Sequence, residues 1–170
     1  LTATLYYPAA STYAKIAGFG GKATLDGLAH VRERNVDEYR AIEWLRENST
    51  SDDRLVEAVG NDYVAEISLV SASTGIPTVL GWPGHEHQWR GSIEPLEGRE
   101  EAVRVVYQSD DLERVREILE RYEVTYVYVG PQERAKYGTP PLERFDQLLE
   151  PVFPERDGQG SMVRIYRYRG

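Results

Sequence analysis

The run Val124-Thr125-Tyr126-Val127-Tyr128-Val129, closed by Gly130-Pro131, limits the fold more than any other stretch of this chain. It is continuous, β-branched and aromatic. A half-exposed strand alternates apolar with polar residues, whereas an uninterrupted apolar strand is buried on both faces, as the central strands of helix-covered parallel sheets are. Gly130-Pro131 then ends it, because proline has no N–H to give to a sheet ladder.

Helical patterns flank this strand. Asp37 opens a helix in which Ala41, Ile42, Trp44 and Leu45 recur at helical spacing, with Glu38 in the first turn and Asn48-Ser49 at the end. Ala102, Val103, Val106 and Tyr107 mark another between Arg99 and Tyr107. Ser109-Asp110 reads as an N-cap for a third, striped by Leu112, Val115, Ile118, Leu119 and Tyr122. Pro131 begins a short helix to Tyr137, and Leu142, Phe145, Leu148 and Leu149 outline a last one. Two shorter strands are expected at Arg54–Ala58 and Thr78–Leu80, while Tyr63–Ser73 fits helix or strand equally. Val152-Phe153 and Met162–Tyr168 read as a closing hairpin around Asp157-Gly158-Gln159-Gly160. The expected fold is α/β: a three-layer sandwich with a mostly parallel sheet and a C-terminal antiparallel hairpin. Residues 37–170 form its single domain. Residues 1–36, broken by Pro8, Gly18, Gly20, Gly21 and Asp26-Gly27, are expected to be an irregular lead-in with one short helix near Thr12–Ala17.

The composition excludes several functions. A chain of 170 residues suffices for one core and is too short for two comfortable ones. Its 20 basic and 28 acidic residues give a net charge of −8, which disfavours non-specific binding to nucleic acid or anionic lipid. With no cysteine there is neither a disulfide framework nor thiolate chemistry. No apolar run approaches the ~20 residues of a membrane span. The chain opens on Leu1 rather than Met and is read as a fragment of something longer. No phosphate-binding glycine loop or dinucleotide fingerprint is present, and no cofactor is expected.

Chemistry concentrates after the Thr78–Leu80 strand. Gly81-Trp82-Pro83-Gly84-His85-Glu86-His87-Gln88-Trp89-Arg90 places two Trp, two His, one Glu and one Arg within nine positions. A strand delivering its chain into a loop of aromatic and ionisable groups is how α/β proteins build binding sites. Flat indoles such as Trp82 and Trp89 stack on the apolar face of a sugar, and the Arg90 fork grips a phosphate or carboxylate. The plainer alternative is that the indoles cap the core and Arg90 pairs with Glu86 or Glu57. In an extended loop His85 and His87 project to one side, which would suit a shared zinc ion, with Glu57 or His30 as remote candidates for a third ligand. Glu57, at the end of the first strand, is either half of an acid/base pair with Glu86 or, preferably, a structural carboxylate bonded to a backbone nest or to Arg90. Ser71, Ser73 and Thr74 lack the glycine spacing of a nucleophile elbow.

Taken together, Thr24-Leu25-Asp26-Gly27, Ala41-Ile42-Glu43-Trp44-Leu45, Val56-Glu57-Ala58 with Tyr63, the Ser73–Trp82 run with His85-Glu86 and Gln88-Trp89-Arg90, and Tyr126–Gly130 with Glu133-Arg134 resemble the Chlor_Arch_YYY family of polytopic membrane proteins. The resemblance implies a soluble C-terminal domain, its residues 1–36 following a membrane segment. It also implies a distant relationship to membrane glycosyltransferases that use lipid-phosphate-linked sugars. On that reading the domain is extracytoplasmic, at the cell membrane, and works with its own transmembrane region, absent from this fragment. Its ligand is a lipid-phosphate sugar or a glycan. Glu57, Trp82, His85, Glu86, Trp89 and Arg90 contribute recognition rather than the catalytic base. A metal-dependent hydrolase built on His85 and His87, and a non-catalytic interaction domain, are the alternatives.

Overall fold

The computed structural model describes residues 2–15, 24–138, 147–154 and 162–170. The chain divides into two compact units, residues 1–30 and 31–170. In the first, α1 (Thr2–Lys15) replaces the irregular segment expected from Pro8. Ala9, Ala10 and Ala14 supply helix propensity, and Pro8 is accommodated within it at the loss of one backbone donor. Tyr6, Tyr7 and Tyr13 are exposed on α1. Gly18, Phe19, Gly20 and Gly21 lie outside the described residues. A second helix, α2 (Ala29–Arg34), leads into the larger unit.

There the helices follow their stripes. In α3 (Val36–Asn48), the Asn35 side chain accepts from the N–H groups of Asp37 and Glu38, and Ala41, Ile42 and Leu45 are buried. α6 (Arg99–Gln108) buries Ala102, Val103, Val106 and Tyr107. α7 (Leu112–Arg121) is capped by Asp111, one residue beyond the expected Ser109-Asp110, through bonds from the N–H groups of Glu113 and Arg114. α8 (Pro131–Tyr137) is present as expected.

Four strands, β1 (Leu55–Val56), β2 (Tyr126–Val129), β3 (Leu149–Phe153) and β4 (Arg164–Tyr168), form one mixed sheet in the order β1-β2-β4-β3. β1 runs parallel to β2, whereas β4 pairs antiparallel with both β2 and β3. The expectation of a mostly parallel sheet is therefore corrected. The parallel side is short: β1 has two residues, and the Thr78–Leu80 segment contributes a single parallel bridge, Leu55 to Thr78. The hairpin, instead of closing an edge, places β4 directly against the central strand. Leu142, Phe145 and the Asp157–Gly160 turn lie outside the described residues, and Leu149, expected in a helix, opens β3.

All four residues of β2 are buried, as its unbroken apolar sequence demands. Val56, Val103, Val106, Val115, Leu119, Val127 and Leu149 belong to one core cluster. Tyr107 sits within it, its hydroxyl 3.0 Å from the Val56 carbonyl and 2.6 Å from that of Tyr128, while its ring stacks on Tyr137. One phenol thus bridges β1 and β2 near their C-terminal ends. Among the described residues, no helix is long and apolar enough to cross a membrane.

Candidate functional site

Beyond β1 the chain passes through turns to α4 (Leu69–Thr74), returns along the Thr78 bridge and enters α5 (Pro83–Arg90). The strongest sequence motif is therefore helical, not the extended loop expected of it. Local chemistry explains this. Pro83 occupies the first helical position, where its missing N–H costs nothing and its fixed φ suits a helix. The Asp62 carboxylate accepts from the Gly84 N–H at 3.0 and 3.1 Å, and a side chain at Gly84 would collide with it. Gly91, with φ +71°, ends the helix in the left-handed conformation that favours glycine.

The helix redistributes the motif. Neighbours two apart are roughly 200° apart around a helix, so His85 and His87 do not share a side. Residues four apart do, and His85 stacks on Trp89 with ring centroids 6.0 Å apart and planes inclined by 14°. Trp82 and Tyr63 meet the same imidazole edge-on at 5.5 and 6.1 Å. The Trp82 indole is pinned from behind, its Nε1 donating to the Ile67 carbonyl at 3.0 Å. Trp89 is 82% exposed. His87 is exposed too. Among the described residues, no group of three His, Asp or Glu stands ready to hold a metal.

These rings form one wall of an open groove of about 540 Å³. Trp82, His85, Glu86, Trp89 and Arg90 all line it, so five of the six expected site residues converge. Glu86 is fastened at both oxygens: Oε1 accepts from the Gly81 N–H at 3.1 Å, and Oε2 lies 3.4 Å from Arg90 Nε. Arg54, Ser68, Ser71, Thr78 and Arg99 also line the groove. Except for Ser71, these are groove residues that the sequence did not point to. They come from four separate segments, and no periodicity or spacing links them.

Two groove hydroxyls, Ser68 Oγ and Thr78 Oγ1, are buried without a hydrogen-bond partner among the described residues. Ser68 is itself buried, and its φ of +58° is a strained value for serine. A residue at this N-cap position usually caps the helix with its own hydroxyl; Ser68 does not.

Glu57 does that work instead. It is 2% exposed, does not line the groove, and accepts from the Val70 and Ser71 N–H groups at 3.1 Å each. The preferred structural reading of Glu57 matches this arrangement, and the geometry does not pair it with Glu86 as acid and base. Burial drives its carboxyl up from 4.5 to about 7 against the stabilising bonds from Ser71, with the neighbouring Glu133 adding to the rise. Glu133 is buried as well, accepting from Ala58 N–H at 2.7 Å and Gly130 N–H at 2.8 Å. Its carboxyl is likewise raised by burial.

Fold and site together define a mixed α/β chain with an aromatic- and arginine-lined groove. Compared with family models, with curated proteins and with solved structures, the chain matches none.

Proposed function

We propose that this chain is the extracytoplasmic domain of a membrane glycosyltransferase that uses a lipid-linked sugar, and that its groove recognises the ligand rather than supplying the catalytic base. The observation that carries the reading is the aromatic wall of Trp82, His85 and Trp89 facing an open groove beside Glu86 and Arg90. An exposed indole next to hydrogen-bonding ionic groups suits a pyranose, which offers an apolar face to stack and hydroxyls to bond. Glu57, whose carboxyl burial raises, is enclosed and engaged with backbone, which supports recognition over acid/base work. Kinship with the Chlor_Arch_YYY family and a cell-membrane location belong to the same proposal and rest on the motifs quoted above. So does the three-layer arrangement, supported by a central strand buried along its whole length, which needs cover on both faces.

Titration of the chain with a panel of methyl glycosides and short glycans tests the reading. Saccharide binding that Trp89→Ala weakens about tenfold, as loss of a stacking platform would, supports it. Absence of binding at millimolar ligand, or binding indifferent to both Trp89→Ala and Arg90→Ala, overturns it.

A further inference from the structure

A smaller recess of about 160 Å³ adjoins the groove, sharing Arg54, Thr78 and Arg99 with it and adding Arg121, Tyr122 and Glu123. At ~30 Å³ per water it has room for several solvent molecules or one compact ionic group. Its charge is out of keeping with the chain. A protein of net charge −8 here gathers three guanidinium groups around one carboxylate.

That carboxylate, Glu123, is taken by Arg54 at 2.8 Å. Arg99 donates to two carbonyls, Nε to Pro95 and Nη1 to Val79, at 2.8 Å each. Carbonyls orient a guanidinium without neutralising it. Arg99 and Arg121 both lie 5.4 Å from the Tyr122 ring centroid, so one aromatic ring holds two like charges. Among the described residues neither of these two has a carboxylate partner. Asp52 and Asp53 face Arg54 from a separate cleft that touches neither Arg99 nor Arg121. Thr78, whose buried hydroxyl has no hydrogen-bond partner among the described residues, lines both recess and groove.

We infer that this recess is an oxyanion subsite, built by Arg99, Arg121 and Arg54, that takes a phosphate ester or carboxylate carried by the groove's ligand. Two guanidinium groups without a carboxylate partner, lining one recess, offer charge-assisted donors to such a group, and Arg99 is already oriented by its two carbonyl contacts before a ligand arrives. The inference extends the carbohydrate reading by naming the charged part of the ligand. It also stands apart from that reading, because the anion can be probed without a sugar.

The test is calorimetric or NMR titration of the chain with inorganic pyrophosphate, with glucuronate and with a neutral methyl glucoside. It is run on wild type, Arg121→Gln, Arg121→Lys, Arg54→Gln and the remote control Arg104→Gln. Pyrophosphate or glucuronate is expected to bind, and the stronger of the two identifies phosphate or carboxylate as the natural group. Each glutamine variant in the recess weakens that binding about fivefold to tenfold, as loss of one charge-assisted contact does. Arg121→Lys recovers part of it, Arg104→Gln changes nothing, and affinity falls with added salt. Failure of both anions to bind, or anion binding unchanged in Arg121→Gln, overturns the subsite while leaving the sugar reading to its own test. Binding of the neutral glucoside alone overturns the subsite and supports the sugar reading. Arg121 is exposed, so its variants fold, and an unchanged melting temperature verifies that.

Discussion

Glu57 and Glu86 have similar local settings and opposite fates. Glu57 directly follows β1 and Glu86 lies in the first turn of α5, and each accepts a bond from backbone N–H. Glu57 is sealed in, its two oxygens holding the start of α4. Glu86 keeps part of its carboxylate in an open groove beside Arg90 and a ladder of rings. The first carboxylate builds the scaffold on which the second is displayed. What separates them is burial, not residue type: an enclosed carboxylate must satisfy its oxygens internally, and one at a groove edge can leave them to solvent or ligand.

The contrast breaks most visibly at the buried carboxylates. Glu133→Ala strands the N–H groups of Ala58 and Gly130 and leaves a cavity, so a loss of roughly 3 kcal/mol in urea unfolding is expected, with saccharide binding falling only as far as folding does. A loss below about 0.5 kcal/mol would mean that the cluster is not structural.

Next comes pH. A carboxyl raised from 4.5 to about 7 binds its proton more tightly folded than unfolded, so its contribution is complete below about pH 4.5 and is lost as pH rises toward 7. At 1.36 kcal/mol per pH unit this one group makes the chain up to about 3 kcal/mol less stable at pH 7 than at pH 4.5, all else equal. Glu57→Gln flattens that part of the stability profile. An unchanged slope between pH 5 and 7 would show that Glu57 is ionised throughout.

The groove side should respond in the reverse manner. Trp89→Ala removes a ring that is mostly in water, so unfolding free energy changes by less than about 1 kcal/mol while sugar affinity drops. A large stability loss would make Trp89 a core residue and erase the distinction. Smallest of all, His87→Ala, on the outer side of α5, should leave both stability and binding within error. A measurable binding loss there would revive the shared-ligand role that the helical geometry removes.

Much of the scaffold was legible in the chain. The α3, α6 and α7 stripes stand where periodicity put them, because burial of an apolar face acts on neighbours in sequence, and β4 falls within the expected Met162–Tyr168 strand, whereas β3 begins three residues before the expected Val152. The failures are equally local in origin. Thr78–Leu80 has strand composition yet makes one bridge, since pairing depends on the partner that β1 offers. α5 was misjudged because an unusual mixture of aromatic and charged residues masked ordinary helix punctuation, Pro83 at its start and Gly91 at its end. Five residues of that motif nonetheless line one groove, since residues four apart, such as His85 and Trp89, meet on a helix.

By itself, then, the sequence determined a buried central strand, its helical cover and a concentration of rings and charges after Gly81. Only the tertiary structure decided that β4 would flank β2, that Glu57 would be consumed as a cap, and that Arg54, Thr78, Arg99 and Arg121 would meet. Periodic patterns record which face of an element avoids water, and that is a property of neighbouring residues. Convergence of segments far apart along the chain depends on how whole elements pack, which no local pattern encodes.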